Sequence, residues 1–199
     1  MSQWDERFAG EVYQYGTEPN RWLAAQAGRL APGGRVLCLG EGEGRNAVWL
    51  AGRGFAVEAV DGSAVGLEKA RRLAAQRGVT IATTVADLAD HLPAAGAYDA
   101  VALIFVHLPP SLRARVHARA AAALAPGGLL VLEAFTPAQL ALASGGPRQR
   151  ELLYDAGLLR QDFAGLEWDP LVEEEVDLDE GPLHRGRAAV VRGIARRPR

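Results

Sequence analysis

The chain has 199 residues, of which 49% are hydrophobic and 23% charged, and its formal net charge at pH 7 is −2. This length fits one domain of roughly 100–200 residues, and the near-neutral charge gives no sign of a nucleic-acid or membrane partner. One cysteine, Cys38, excludes an internal disulfide framework and favours a reducing cytoplasm.

No targeting or membrane segment is predicted. Residues 1–6 are polar and acidic, and no cationic stretch leads into an apolar one. No uninterrupted apolar run reaches the roughly 20 residues that a membrane helix needs. We therefore expect a cytoplasmic protein.

The first 30 residues predict a lid followed by a helix. Pro19 suits the first turn of that helix, whose apolar side would carry Trp22, Leu23, Ala27 and Leu30. Residues 31–34, Ala-Pro-Gly-Gly, then interrupt the chain.

From residue 36 onward, short apolar runs alternate with helical patterns. The runs predict five strands, at 36–39, 55–60, 79–85, 98–106 and 129–135. A first helix is predicted after the first strand and its glycines, ending at Gly52 and Gly54. Further helices are predicted at 65–76, after the N-cap Ser63, and at 112–124, which a turn at 126–128 follows. This alternation predicts a mostly parallel sheet with helices on both faces.

The pattern changes after residue 135. Residues 136–147 have an irregular pattern, and 151–163 are predicted to be helical. The alternation at 172–179 and the apolar run at 188–195 predict an antiparallel hairpin through a turn at 181–186. Acids at 173–180 and arginines at 185–199 are expected to pair across it. The fold class predicted is α/β, doubly wound and seven-stranded, in one domain over 1–199 that the hairpin region 166–199 closes.

Glycines 40, 42 and 44 follow the first strand and open a helix, and we call residues 40–44 the glycine turn. Such a turn lets a ligand approach the backbone and the helix N-terminus. Dinucleotides and S-adenosylmethionine both use it, so the glycines alone leave two cofactors open. The dinucleotide fingerprint requires a small residue where this chain has Arg45. Glu41 and Glu43 would repel a pyrophosphate, whereas Glu41 suits a ligand with sulfonium and ammonium groups.

Acids after the next two strands favour a nucleoside. Asp61 ends the second strand, where a carboxylate can accept hydrogen bonds from both ribose hydroxyls. Asp87 follows the third strand and offers an acceptor to an adenine amino group, and Leu88 offers an apolar wall.

Residues 36–46, Val-Leu-Cys-Leu-Gly-Glu-Gly-Glu-Gly-Arg-Asn, resemble motif I of class I S-adenosylmethionine-dependent methyltransferases. More narrowly, they are similar to the tellurite-resistance/thiopurine-methyltransferase-like branch. The resemblance covers roughly residues 10–135 and includes Asp61-Gly62-Ser63, Ala86-Asp87-Leu88, 98–101 and 124–128. It implies a Rossmann-like fold, with S-adenosylmethionine as cofactor and S-adenosylhomocysteine as product.

The resemblance also implies a set of cofactor contacts. The glycine turn would hold the methionine part, Asp61 the ribose, and Asp87 and Leu88 the adenine, with Ile104 beneath the cofactor. Tyr13, Tyr15 and Gly16 would cover the methyl-donor side. The full set expected is Tyr13, Tyr15, Gly16, Gly40, Glu41, Gly42, Gly44, Asn46, Asp61, Gly62, Ser63, Asp87, Leu88 and Ile104.

Cys38 departs from this family's pattern, because motif I usually carries an acid two residues before its first glycine. We hypothesise that Glu41 replaces that acid in supporting the methionine amino group. Cys38 itself is interpreted as a small buried strand residue.

Methyl transfer from a sulfonium mainly requires positioning and desolvation, so a catalytic residue is not obligatory. His107, directly after the fourth strand, is the candidate general base; alternatively it only hydrogen-bonds the loop or lines the pocket. His184 is within reach of the substrate mouth, although a solvated turn residue is the simpler interpretation. His91 and His117 are interpreted as surface residues. The histidines and Cys38 lack metal-ligand spacing, so no metal is expected.

The sequence therefore predicts an enzyme that methylates a small-molecule acceptor, as a monomer or homodimer, without a nucleic-acid or membrane partner. Kinship to tellurite and thiopurine enzymes suggests S, Se or Te as the acceptor atom. Two alternatives stay open: an NAD(P)-dependent oxidoreductase, and a non-catalytic S-adenosylmethionine-binding protein. Joint exposure of Trp4, Trp22 and Trp49 would favour the latter.

Overall fold

The computed structural model describes residues 3–199. Residues 1–2, which belong to the predicted lid and the polar start of the chain, lie outside that range. Six α-helices occur in it: α1 Gln3–Phe8, α2 Arg21–Gln26, α3 Arg45–Gly52, α4 Ala64–Gln76, α5 Pro110–Ala123 and α6 Ala156–Asp162. Short 3₁₀ turns cover Ala27–Arg29, Pro137–Ala141 and Arg150–Leu152.

Seven strands form one sheet in the order β3-β2-β1-β4-β5-β7-β6. They are β1 Arg35–Leu39, β2 Ala56–Asp61, β3 Ala82–Val85, β4 Tyr98–Ile104, β5 Leu124–Phe135, β6 Glu167–Asp179 and β7 Arg185–Arg196. Neighbours among β1 to β5 are parallel, whereas β7 runs antiparallel to both β5 and β6. The predicted α/β, Rossmann-like fold with a C-terminal hairpin is confirmed.

The central strands are apolar throughout because helices cover both sheet faces. In β1, Leu37 and Leu39 join the cluster that includes Ala120 of α5 and Leu159 of α6. Val36 and Cys38 point to the opposite face and join the cluster of α2, α3 and α4. Cys38 is thus a buried strand residue, as predicted.

Side-chain caps fix two helix starts. Ser63 Oγ accepts a hydrogen bond from Gly66 N at 3.0 Å, as predicted for α4. Asn20 Oδ1 accepts one from Leu23 N at 2.9 Å and begins α2 at Arg21. Pro19 therefore precedes the cap and does not lie in the first turn.

Several predicted ends of strands and helices were wrong, because the backbone there bonds or turns differently from what the sequence pattern suggested. Val79 N donates to Ala74 O and completes the end of α4, so β3 begins only at Ala82. The strand β4 ends at Ile104 because Phe105 turns the chain with a φ of 55°. The predicted turn at 126–128 lies inside β5. The helix predicted over 151–163 is confined to α6.

The closing hairpin carries the expected charge pairs. Arg187 lies 2.9 Å from Glu175 and 3.5 Å from Asp177, and Arg185 lies 3.3 Å from Asp179. Strand β6 forms the sheet edge, and its apolar face is less buried than predicted, since Val172 is 39% exposed. None of the helices within residues 3–199 is long and apolar enough to cross a membrane.

Candidate active site

A cavity of about 670 Å³ opens at the carboxyl ends of β1, β2 and β4. Open α/β sheets bind ligands at this edge, and the volume is in the range of small-molecule sites. Most of the predicted site residues line it: Tyr15, Gly16, Gly40, Glu41, Gly42, Asn46, Asp61, Gly62, Asp87, Leu88, Ile104 and His107. Three do not: Tyr13, Gly44 and Ser63.

The glycine turn needs its glycines for two reasons. Gly40, Gly42 and Gly44 have φ values of 64°, 62° and 89°, a region that side chains disfavour. A Cβ at Gly40 would also lie 2.8 Å from a Val106 methyl carbon. A Cβ at Gly44 would overlap that of Ala70 in α4. Gly44 is thus a packing residue behind the cavity, which corrects its predicted ligand contact.

Glu41 lies beneath the turn and caps α3. Its Oε1 accepts hydrogen bonds from Asn46 N at 2.9 Å and Ala47 N at 2.8 Å. Burial raises the pKa of Glu41 to about 7. Burial and the adjacent Glu41 carboxylate raise the pKa of Cys38. Glu41 therefore places a carboxylate beside position 38, where motif I usually has its acid.

Asp61 joins the end of β2 to the glycine turn. Its Oδ2 accepts from Gly42 N and its Oδ1 from Ser63 N, both at 2.8 Å, while burial raises its pKa. Each carboxylate oxygen keeps a second acceptor site for a ligand. The Ser63 hydroxyl caps α4 and donates to Asp5 at 2.7 Å, so Ser63 is a scaffold residue outside the cavity.

The lid, which we define as residues 9–16, places one of its two tyrosines in the cavity. Tyr15 packs against His184 with ring centroids 4.6 Å apart, and Arg7 donates to its hydroxyl at 3.1 Å. The other, Tyr13, donates to the Lys69 carbonyl at 3.0 Å and packs beside Val48 and Leu73. Tyr13 therefore anchors the lid and does not cover the methyl donor as expected.

His107 does not have the geometry of a general base. Its Nδ1 lies 2.7 Å from the Leu152 carbonyl, so this nitrogen carries the proton, and its Nε2 accepts from Phe135 N at 3.2 Å. Burial lowers the pKa of His107 to about 4. Both nitrogens are occupied by the backbone, which contradicts a catalytic role and fits the loop-bonding alternative.

His184 is buried and lines the cavity, which corrects its interpretation as a solvated turn residue. Its ring centroid lies 4.5 Å from that of Phe105 and 5.3 Å from that of Phe135. Together with Tyr15 these three rings form an aromatic wall. No local pattern marks it, because the residue after β4, the end of β5, the lid and the hairpin turn each contribute one ring.

Glu180 connects His184 to Arg45, the first residue of α3. Its Oε2 lies 3.9 Å from His184 Nδ1 and 2.9 Å from the Arg45 guanidinium, and its Oε1 accepts from Asn20 Nδ2 at 3.1 Å. Although burial alone would raise it, the nearby His184 ring and the charge of Arg45 hold the pKa of Glu180 at about 2. Asn20 also donates to Glu133.

Other residues outside the site also differ from their predicted roles. His117 is buried, not on the surface, with Nδ1 2.7 Å from Asp162 Oδ2. The tryptophans considered above for a joint exposed surface each pack under a different arginine: Trp4 under Arg7, Trp22 under Arg192 and Trp49 under Arg53. Among the described residues, no cluster of histidines, cysteines or acids is arranged to hold a metal.

Comparisons with known proteins agree with this geometry. Residues 36–128 match the family profile described as a methyltransferase domain. No curated protein matches the chain in sequence. Residues 36–128 therefore carry a methyltransferase domain. S-adenosylmethionine is accordingly its cofactor.

Three solved structures illustrate the similarity of this methyltransferase to proteins of known fold. One concerns the conversion of a disulfide bond into a thioacetal group during echinomycin biosynthesis; it has a TM-score of 0.78 and 22% identity, over 98% of this chain and 88% of that one. TehB from Haemophilus influenzae has a TM-score of 0.71 and 20% identity, and the match covers 88% of this chain and 61% of TehB. An S-adenosylmethionine-dependent methyltransferase from Methanosarcina mazei has a TM-score of 0.71 and 16% identity. The match covers 91% of this chain and 99% of that protein.

Proposed function

We propose that this methyltransferase transfers a methyl group to a small, uncharged acceptor held against the aromatic wall. The observation that carries the proposal is one continuous cavity, lined by the glycine turn and by the rings of Tyr15, Phe105, Phe135 and His184. When bound, S-adenosylmethionine supplies an electrophilic methyl group. The chain positions that group, excludes water and receives a proton.

The residues present fit this cofactor. The glycines at 40 and 42 leave room that a Cβ would fill. The Glu41 carboxylate would attract the ammonium of the methionine part, and the Asp61 carboxylate would accept hydrogen bonds from the ribose. The nearest cation at the turn, Arg45, is paired with Glu180 and so is not free to bind a pyrophosphate. This arrangement favours S-adenosylmethionine over a nicotinamide dinucleotide.

In our assignment the turn backbone and Glu41 hold the methionine part, and Asp61 accepts from the ribose hydroxyls. Asp87 and Leu88 frame the adenine, and Ile104 supports the cofactor from the end of β4. Residues 40–43 of the turn line the cavity, as do Asp61, Asp87, Leu88 and Ile104.

The aromatic wall suits a planar or soft acceptor. Its rings are mutually packed at centroid separations of 4.5–5.3 Å and form an apolar surface. Of the arginines that line the cavity, Arg45 is paired with Glu180 and Arg7 donates to the Tyr15 hydroxyl at the edge of the wall. An oxyanion held against the ring faces themselves would lose hydration without gaining a hydrogen-bonded partner charge, which is unfavourable. We therefore favour an uncharged thiol or aromatic acceptor over an oxyanion.

His184 is the group placed to receive a proton. Nδ1 lies 3.9 Å from Glu180 Oε2, and no hydrogen bond to Nε2 is found among residues 3–199. Burial lowers the pKa of His184, so the ring is neutral at pH 7. With cofactor and acceptor bound, Nε2 would take the proton that the acceptor atom loses when it is methylated, and S-adenosylhomocysteine would leave as the other product.

An acceptor screen scored by S-adenosylhomocysteine release tests the proposal. We expect turnover of aryl or alkyl thiols to exceed that of selenite and tellurite by at least tenfold. Phe135→Ala should raise KM for the acceptor, and His184→Gln should lower kcat at least tenfold while S-adenosylhomocysteine still binds. His91→Gln, outside the cavity, is the matched histidine control.

The outcomes separate the alternatives. Preferred turnover of an oxyanion would contradict the acceptor class. Binding of S-adenosylhomocysteine without turnover of any acceptor would instead favour the non-catalytic alternative. Binding of NADH but not S-adenosylhomocysteine would favour the oxidoreductase.

A further inference from the structure

Lys69 is the one lysine in the chain, and its side chain is 1% exposed. It extends from α4 to the chain that follows α1. Its ammonium donates to the carbonyls of Gly10 at 2.8 Å and Val12 at 2.7 Å, and lies 3.5 Å from that of Phe8. Lysines are almost never fully buried unless they are paired, so a buried acidic partner is expected.

The partner is Glu43, in the glycine turn. Glu43 Oε1 lies 2.5 Å from Lys69 Nζ, and the side chain is 3% exposed. Its other oxygen, Oε2, accepts from Gln14 N at 2.7 Å and from Tyr15 N at 3.4 Å. One buried ion pair thus joins α4, the glycine turn and both halves of the lid.

The lid residues held in this way form part of the cavity. Tyr15 belongs to the aromatic wall, and Gly16 also lines the cavity. The Gln14 carbonyl accepts from Leu183 N at 3.1 Å, next to His184. A displaced lid would remove Tyr15 from the site and open one side of the cavity to solvent.

We propose that Lys69 and Glu43 are positioning residues that hold the lid, and through it Tyr15, over bound cofactor and so slow cofactor release. The proposal rests on the cofactor occupying this cavity and not on the acceptor class. Removing one partner would strand a buried charge. The informative variant is therefore the neutral pair Lys69→Met with Glu43→Gln.

The test measures the dissociation rate of S-adenosylhomocysteine by stopped-flow displacement, together with amide exchange across residues 9–16. In the double variant we expect release at least tenfold faster and exchange of the Gln14 and Tyr15 amides at least tenfold faster. Arg71→Met is the matched control, since Arg71 is an exposed cation on the same helix that pairs with Glu68. Its release rate should stay within twofold of the native rate.

A purely stabilising ion pair would lower the unfolding midpoint and leave release unchanged under conditions where the variant is folded. That result would overturn the proposal. Should the double variant fail to fold, Glu43→Gln alone, which keeps an acceptor oxygen but loses the charge, should still accelerate release at least threefold; an unchanged rate would overturn it as well. Native protein that binds no S-adenosylhomocysteine would overturn the cofactor assignment and this proposal together.

Discussion

Glu41 and Asp61 each serve the fold and face the cavity. Glu41 accepts from two amides in the first turn of α3, and Asp61 accepts from Gly42 and Ser63. Because each carboxylate oxygen has two acceptor sites, these backbone bonds fix the side chains and leave capacity for a ligand. Their charge states therefore influence both stability and binding.

Cofactor affinity should depend on pH through Glu41. Its pKa of about 7 means that the carboxylate is charged above pH 7 and neutral below it. Attraction for the methionine ammonium is therefore present above that pKa and is lost as pH falls through it. We expect Glu41→Gln to weaken S-adenosylhomocysteine binding about tenfold at pH 8, or about 1.4 kcal/mol, and to remove the pH dependence near 7.

Calorimetry from pH 6 to 8.5 measures this effect. Glu175→Gln, which removes an exposed acid from β6, is the control and should leave the dissociation constant unchanged. An unaltered constant in Glu41→Gln at pH 8 would mean that this carboxylate does not hold the amino group.

His107 should make the fold sensitive to acid. Its pKa is about 4 in the folded protein, against about 6.5 when unfolded. The unfolded chain therefore takes up a proton first, so stability is complete above pH 6.5 and is lost as pH falls toward 4. The full loss amounts to about 3 kcal/mol.

Urea unfolding at pH 5 and pH 7 measures this loss. His117 and His184, whose pKa values burial also lowers, add a slope of the same sign. The comparison is therefore between native protein and His107→Gln, which should show the smaller difference between the two pH values. Equal differences would mean that His107 is not held neutral.

At the scale of elements, the ion pair between β5 and β7 is buried, whereas the ion pairs between β6 and β7 in the hairpin are exposed. Arg192 lies 2.5 Å from Glu133, whose side chain is 1% exposed. Removing Arg192 leaves that acid uncompensated. We expect Arg192→Met to lower the free energy of unfolding by about 3–5 kcal/mol, and the exposed Arg187→Met by less than about 1 kcal/mol.

Denaturant unfolding of both variants, with equal m-values, checks the comparison. A similar loss in the two would show that the Glu133 site is hydrated. It would also reduce the importance of the network that Glu133 forms with Asn20.

Elements whose signals are local could be predicted from the sequence, and those that depend on distant partners could not. Ser63 caps α4 within three residues, so its helix start was evident. The segment at 126–128 has the composition of a turn, yet Gly127 N donates to Arg197 O and Arg197 N to Gly128 O. The helix α1 is short and polar, and was not predicted separately from the lid; Phe8 holds it against Gly42 and Gly66.

The same division applies to the site. Gly40, Asp61 and Leu88 follow predicted strands, and parallel strands bring their carboxyl ends together. His184 and Glu180 lie in a turn whose position depends on how β7 pairs with β5. Nothing within a few residues of His184 indicates burial, so sequence reasoning placed the base at His107.

For the whole molecule, bound cofactor should raise thermal stability. A ligand at about 100 times its dissociation constant stabilises the folded state by about 2.7 kcal/mol if the unfolded chain does not bind it. For a chain of this length that corresponds to a rise in Tm of roughly 5–10 °C. Thermal scans with S-adenosylhomocysteine should show this rise, whereas NADH at equal concentration should give none.

The site is also assembled from the two ends of the chain. Asn20 reaches Glu180 across 160 residues of sequence, and a Cβ at Gly181 would overlap the backbone of the lid at Tyr15 and Gly16. A nascent chain on the ribosome can therefore complete its first five strands and its glycine turn while the lid still lacks the surface that it closes against. Translation that stops before residue 180 would yield a protein with the motifs of the enzyme and an unfinished cavity.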